Sequence, residues 1–351
     1  METRLIKIED SENVKDEELS CAAQIIRDGG LVAFPTETVY GLGANAHDEQ
    51  AEKKIYSAKG RPSDNPLIAH ISSFEELAPL VLKIPEAGEK LSRAYWPGPL
   101  TLVFPKSGRV PYGTTGGLDT VAVRMPGDPL ANRLIALAGV PIAAPSANTS
   151  GRPSPTTAQH VWQDMNGKID MIIDGGPVGI GVESTIVDVS GSVPVLLRPG
   201  AVTIEMLRET VGRVDIDPAI LGPPRDDLRP KAPGMKYRHY APQAELILVE
   251  GGTDAVVSRI NSLVREKLEQ NYRVGVICTD ETRERYRYGK VLSVGLRARE
   301  ETIAHNLFAV LRKFDDLKVD YIYSESFSGE HLGQAIMNRL TKAAGYHVIR
   351  V

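Results

Sequence analysis

The sequence predicts an α/β protein in two parts: a mixed, twisted sheet with helices first, then a small parallel, Rossmann-like sheet. Three observations carry this. Up to residue 198, short apolar runs recur with helical segments between only some of them, which marks a mixed sheet rather than a parallel one. From residue 244 onward, strand and helix patterns alternate, as parallel sheets require. Between them, residues 213–243 hold Pro218, Pro223, Pro224, Pro230, Pro233 and Pro242. Proline lacks the amide donor that helices and ladders need, so this stretch reads as an extended linker. The expected division is therefore a domain over 1–212, a proline-rich linker over 213–243 and a second domain over 244–351.

The elements follow in order. Residues 21–27 read as a helix stopped by Gly29-Gly30, and 31–34 as a short buried strand leading into Pro35-Thr36-Glu37-Thr38. A helix fits 49–58. Strands fit 67–71, 100–104, 120–124, 140–144, 171–173, 185–189 and 195–197, with helices over 128–138 and 158–164. In the second part, strands fit 246–249, 274–277, 291–294, 321–323 and 347–349. Helices fit 255–268, 302–317 and 333–344. Val257, Ile260, Val264 and Leu268 lie at helical spacing in the first of these.

Composition narrows the function classes. The chain has 351 residues, enough for two domains at about 150 residues each. It is 42% hydrophobic and 25% charged, which excludes a fibrous or wholly disordered chain. Lys plus Arg number 41 and Asp plus Glu 45, a net charge of −4. That excludes a strongly basic nucleic-acid-binding domain while leaving room for a local cationic patch. Cys21 and Cys278 are far apart with no CxxC, which excludes a disulfide framework or thiolate zinc site. The acidic start reads as no secretory signal, and no run approaches ~18 apolar residues, so a cytoplasmic protein is expected.

The familiar nucleotide and hydrolase signatures GxxxxGK[ST], GxSxG and HExxH are missing. Gly41-Leu-Gly-Ala-Asn-Ala46 nearly matches a dinucleotide fingerprint but does not sit squarely between strand and helix, so it reads as a turn. His47, His160, His305 and His331 read as surface or structural histidines. What stands out is a set of polar residues in Gly/Pro-rich loops beside apolar strands, where sites are usually built. Lys59 and Arg61 flank Gly60. Two apart in an extended loop, they share a side and can converge on one anion; the bland reading is a solvated basic turn. Ser146 and Asn148 likewise share a side after the strand over 140–144, with turn chemistry as the alternative. Arg124 and Arg198 each end an apolar run and so need an anionic partner, either a protein carboxylate or a ligand carboxylate or phosphate. No obvious acidic cluster matches these cations, which favours an anionic ligand such as a nucleotide.

At these residues the chain resembles a known family. The carrying segments are Phe34-Pro-Thr-Glu-Thr-Val-Tyr-Gly-Leu-Gly43, Lys59-Gly-Arg61-Pro with Asn65-Pro-Leu, Trp96-Pro-Gly-Pro-Leu-Thr101, Val123-Arg-Met-Pro126, Pro145-Ser-Ala-Asn148 and Gly181-Val-Glu-Ser-Thr185. All are similar to YrdC-like domains. Pro233-Gly-Met-Lys-Tyr-Arg-His-Tyr-Ala-Pro242 and Gly333-Gln-Ala-Ile-Met-Asn-Arg339 extend the likeness, so the whole chain resembles the long, two-domain threonylcarbamoyl-AMP synthases.

The resemblance implies a YrdC-like catalytic domain and a nucleotidyltransferase reaction. L-threonine, bicarbonate and ATP would give threonylcarbamoyl-AMP and pyrophosphate for threonylcarbamoyladenosine in tRNA. It implies that Lys59, Arg61, Asn65, Thr120, Ser146, Asn148, Ser154, Arg198 and Tyr237 hold ATP. Lys59, Arg61, Ser146 and Asn148 would be its catalytic members. Thr38, His70, Arg124, the backbone at Ala144, and Ser184 would hold threonine, with Arg124 on its carboxylate. Mg²⁺ would arrive with ATP, held largely through phosphate and water oxygens and not by a protein metal site. Because Tyr237 lies beyond the first domain, residues 233–242 are expected to fold back as a lid. Contact with tRNA or with downstream tRNA-modification proteins stays open. The competing readings are an RNA-binding module, whose affinity would fall steeply with salt, and a carbamoyl-transferase domain of the hydrogenase-maturation type. The chain lacks the length and cysteines of the latter.

Overall fold

Apolar runs placed as strands by the sequence do pair, and they pair into two separate sheets. The computed structural model describes residues 2–220, 222, 230–235 and 239–351. The chain divides into two compact units. The first is made of 1–150, 154–179 and 183–237; the second of 151–153, 180–182 and 238–351.

Among the described residues the first unit is built on an eleven-stranded mixed sheet. Its strands are β1 (Arg4–Lys7), β2 (Val32–Phe34), β3 (Gly41–Asn45), β4 (Ile68–His70), β5 (Leu100–Pro105), β6 (Thr120–Arg124), β7 (Ile142–Ala143), β8 (Met171–Asp174), β9 (Thr185–Asp188), β10 (Val195–Arg198) and β11 (Asp215–Ile216). Their order is β1-β8-β2-β3-β7-β4-β6-β5-β9-β10-β11. Its helices are α1 (Asp16–Arg27), α2 (Glu49–Lys59), α3 (Glu86–Tyr95), the short turn α4 (Tyr112–Thr115), α5 (Pro129–Ala138), α6 (Ala158–Met165) and α7 (Ile204–Val211).

Strand alternation sends side chains to two faces, and each is covered differently. On one face α2 and α6 pack on Ala33, Leu42, Ala44, Ala143 and Ile172. Further along that face Leu91 of α3 and Leu207 of α7 pack on Ala69, Leu102, Val123 and Leu196. On the other face α1 and α5 cover Val32, Phe34, Ile142 and Ile173. Beyond them, the cover on Ile68, Val103, Ala122 and Ile186 comes from Ala232 and Met235 of the proline-rich segment.

The expected α/β class holds, with corrections in detail. Gly41–Asn45 is a buried strand, not a turn. A Cβ at Gly43 would lie 2.6 Å from Ile142 Cγ2 and 2.7 Å from Phe34 Cε1, so glycine is there for close packing inside the sheet. Helix α1 starts at Asp16, five residues before the expected 21. Asp16, Glu17 and Glu18 complement its N-terminal dipole. Strand β1 and helices α3 and α7 were not expected from the pattern. Val214 is buried, and β11 pairs in parallel with β10, so the start of the proline-rich stretch belongs to the sheet.

The second unit holds β12 (Glu245–Glu250), β13 (Val274–Cys278), β14 (Lys290–Ser293), β15 (Tyr321–Glu325) and β16 (Val348–Arg350), with α8 (Thr253–Glu269), α9 (Glu300–Asp316) and α10 (His331–Ala343). All the pairings are parallel, in the order β14-β13-β15-β12-β16, as the alternation predicts. Val257, Ile260 and Val264 of α8 pack on Val249, Val274 and Val276. Among the described residues no helix is long and apolar enough to cross a membrane.

Candidate active site

Strand register gathers His70, Thr120, Arg124 and Arg198 on the sheet face that Ala232 and Met235 cover. His70 pairs with Arg124 in parallel and with Ile142 in antiparallel register. Arg124, Ala122 and Thr120 alternate onto one face of β6. Ile68, opposite Ala122, receives the Ala144 amide at 2.9 Å. Ser146 bridges Gly41 just past β7. Arg198 lies opposite Ile186 and bonds Ser184. The face therefore has one end at Arg124 and His70 and another at Thr120. Four residue steps separate them, roughly 13 Å along β6.

The Arg124 end has an unsatisfied donor. Arg124 Nε donates to Gly98 O at 3.2 Å and Nη1 to Thr38 Oγ1 at 3.0 Å. Thr38 Oγ1 is in turn 2.8 Å from Thr36 Oγ1. Nη2 lies 2.8 Å from Glu37 Oε1, an ion pair whose angles miss a regular hydrogen bond. Nη2 and Glu37 Oε2 are both buried without hydrogen-bond partners. Burial pushes the Glu37 carboxyl up, but the Arg124 guanidinium overrides this and holds it below the usual carboxylate range. Glu37 is thus the protein carboxylate beside Arg124 that the sequence left open.

His70 is buried, and its Nδ1 faces the carbonyl oxygens of Ile68 (3.1 Å) and Ile142 (3.3 Å). Carbonyls only accept, so Nδ1 carries the proton and Nε2 keeps its lone pair. Burial, reinforced by the Arg124 charge, lowers the imidazole pKa to about 3, so the ring is neutral.

The cations meet carbonyl oxygens. Lys59, the last residue of α2, is buried, and its Nζ donates to Ser146 O and Asn148 O. Arg61 Nε donates to Asn65 O at 3.2 Å and Nη2 to Pro66 O at 2.9 Å. Arg198 Nε donates to Ser184 O (3.0 Å), Nη2 to Ser184 Oγ (3.1 Å) and Nη1 to Pro233 O (3.3 Å). Ser146 Oγ donates to Asn148 Oδ1 at 2.5 Å. Asn65 Oδ1 is buried with no hydrogen-bond partner, an acceptor in want of a donor.

Three residues escaped the sequence reading although they sit inside the quoted motifs. Glu37 precedes Thr38. Glu183 precedes Ser184, is buried, and accepts from Ser154 Oγ. Thr101 Oγ1 lies 2.8 Å from Ser184 Oγ. Only register across distant strands reveals these pairings. Tyr237 lies outside the described residues. A cavity of about 830 Å³ also touches Lys59, Gly60 and Thr149, walled by Lys54, Lys168 and Asp170. Arg61, Arg124, Ser184 and Arg198 do not line it, so Lys59 is the one cation of the set that it reaches.

Fold and site together define a two-unit α/β protein with basic side chains and an unsatisfied arginine donor along one face of a mixed sheet. Residues 24–200 match the family model described as "Telomere recombination" (Sua5, YciO and YrdC proteins), and residues 202–345 match "Threonylcarbamoyl-AMP synthase, C-terminal domain". Threonylcarbamoyl-AMP synthase of Pyrococcus abyssi is 53% identical over 97% of this chain and 98% of its own. That of Bacillus subtilis is 49% identical over 98% of each. The crystal structure of P. abyssi Sua5 complexed with L-threonine superposes with a TM-score of 0.94. It is 52% identical and covers 99% of this chain and 100% of its own. The chain belongs to the threonylcarbamoyl-AMP synthase family.

Proposed function

We propose that the protein is an L-threonylcarbamoyladenylate synthase, a nucleotidyltransferase joining L-threonine, bicarbonate and ATP. The observation that carries this is the single sheet face, with Arg124 and His70 at one end and Thr120 at the other. Relatives covering nearly the whole chain bear that activity's name, and a similar solved structure holds threonine.

At the first end, the threonine carboxylate takes the unsatisfied Nη2 of Arg124, a charge-assisted bond. Thr38, Ser184 and the backbone at Ala144 complete the amino-acid end. His70 Nε2, unprotonated, accepts from a donor on the amino acid. The threonine amine, having lost a proton, forms a C–N bond to bicarbonate-derived carbon, giving a carbamate and water. A carbamate oxygen then bonds the α-phosphorus as the bond to pyrophosphate breaks. Such a step rests on alignment and on neutralising phosphate charge. Lys59, Arg61 and Arg198 supply that charge, since a phosphate oxygen is a stronger acceptor than the carbonyls they now bond. Ser146, Asn148, Ser154, Thr120 and Tyr237 complete the nucleotide end, and Asn65 Oδ1 takes a nucleotide donor.

ATP enters as its Mg²⁺ complex. Among the described residues no three His, Cys, Asp or Glu side chains converge on a metal-sized site. Phosphate and water oxygens would hold the ion, which would neutralise polyphosphate charge. Ala232 and Met235, packed on Ile68, Val103, Ala122 and Ile186, are the part of the strap that excludes water from this face.

The test is pyrophosphate release with MgATP and bicarbonate. Release that requires L-threonine, with bicarbonate carbon recovered in an AMP adduct, supports the reading. Release indifferent to threonine, or none, overturns it.

A further inference from the structure

Helix α2 carries a second buried acid, Glu52, away from the groups assigned above. Its side chain is fully buried against the turn α4. One carboxyl oxygen contacts Thr114 Oγ1; the other, Oε2, is buried without a partner. Thr114 Oγ1 also lies 3.2 Å from Ala46 O. A threonine hydroxyl has one proton, and a carbonyl can only accept. One arrangement satisfies both contacts: Thr114 donates to Ala46 O, and Glu52 donates its own proton to Thr114 Oγ1. An ionised carboxylate would leave a buried charge with one oxygen unbonded, the costlier state.

The turn Glu52 holds is not remote from the nucleotide loop. Leu67 N donates to Thr114 O at 2.8 Å. Tyr56 OH donates to Gly113 O at 2.9 Å and lies 3.3 Å from Asn65 O. Gly116, at φ +60°, brings its backbone so close that a Cβ would meet Asp64 O at 2.8 Å. The chain then enters β6 at Thr120. Asp64 and Leu67 thus rest against a turn whose other side is pinned by Glu52, and Arg61 joins them through Asn65 O and Pro66 O.

We propose that Glu52 is a positioning residue for the nucleotide loop of residues 61–66 and works as a neutral carboxylic acid. The inference rests on the synthase reading above for its link to ATP, but not for the protonation state. On its own helix Glu52 faces Asp48 and Glu49, both acidic, and Tyr56. The facing turn presents Gly113 and Thr114, while Tyr112 is exposed and donates to Asp119; Arg61 and Asp64 act beyond Tyr56. Burial, with Glu49 and Asp48 behind it, raises the carboxyl pKa to about 7. Ionisation above that pH charges the buried pair, loosens the turn and weakens the grip on ATP.

The experiment compares full-length wild type, E52Q and E52A across pH 6–9, reading KM for ATP and for threonine separately. In wild type the ATP KM rises above neutrality, by up to about tenfold per pH unit, while the threonine KM does not follow. E52Q, a permanently neutral donor, loses that limb and matches wild type on the acid side; E52A raises the ATP KM throughout. An unchanged limb in E52Q, or equal harm from E52Q and E52A, overturns the proposal. Independently of activity, ¹³C-carboxyl-labelled glutamate should show one resonance titrating near pH 7 in wild type and none there in E52Q. Carboxyls all titrating in the ordinary range refute the neutral acid even if E52A does not fold. Absence of threonine-dependent pyrophosphate release at every pH would instead count against the synthase reading.

Discussion

Arg124 shows what a single residue can and cannot announce. An arginine closing the apolar run Val121-Ala-Val123 signals a buried cation that needs an anion. Its Nη2, 2.8 Å from Glu37 yet without a hydrogen bond, shows that the protein partner is incomplete. Arg124→Ala should therefore raise the threonine KM by about 10–100-fold, the loss of a charge-assisted bond. The ATP KM should stay near wild type; an unchanged threonine KM would refute the carboxylate role. Lys59→Ala or Arg61→Ala should instead lower turnover by roughly 10²-fold or more, as loss of a charge-stabilising donor does, and near-normal rates in both would remove them from the reaction. His70 yields a stability prediction. Its pKa is lowered from 6.5 to about 3 by burial and then Arg124, so the unfolded chain takes up a proton that the folded chain refuses. Its contribution is present above 6.5 and is lost as pH falls toward 3. His70→Asn should lessen the drop in urea midpoint between about pH 7 and 4.5; an undiminished drop would contradict a neutral buried imidazole.

At the scale of elements, strands with aliphatic runs were legible. Thr120–Arg124 matches β6 residue for residue, α5 ends at the expected Ala138, and α2 runs one residue past the expected 58. Gly41–Asn45 was not, because its two glycines lack strand propensity and serve packing against Phe34 and Ile142 that sequence cannot show. Helix α1 was half seen, since its first turn is acidic rather than apolar. The strap is an element-scale device. Met235 and Ala232 pack on Ile68, Val103, Ala122 and Ile186, the stretch of sheet between Arg124 and Thr120. Met235→Ser should lower threonine-dependent turnover several-fold while leaving the fold intact. Unchanged turnover and ATP KM would mean that this cover does not take part.

For the whole molecule, the near-balanced charge of −4 describes an average and conceals four buried cations, Arg124 and Arg198 on one sheet face and Lys59 and Arg61 on loop carbonyls. The individual cations could be read from local pattern. The pairing of β7, β4 and β6 that sets His70 beside Arg124 could not, because these strands lie far apart in sequence and become neighbours only by register. The partners Glu37 and Glu183 were hidden for the same reason, though both stand within the motifs that carried the resemblance. On the proposed function, threonine sits at Arg124 and His70 and polyphosphate at Lys59, Arg61 and Arg198. A crystal structure with threonine and a non-hydrolysable ATP analogue tests it most directly. The account predicts the amino-acid carboxylate within hydrogen-bond distance of Arg124 Nη2, and phosphate oxygens on Lys59, Arg61 and Arg198. An ATP analogue with no phosphate oxygen near Arg61 or Arg198, or one seated in the second unit, would contradict it.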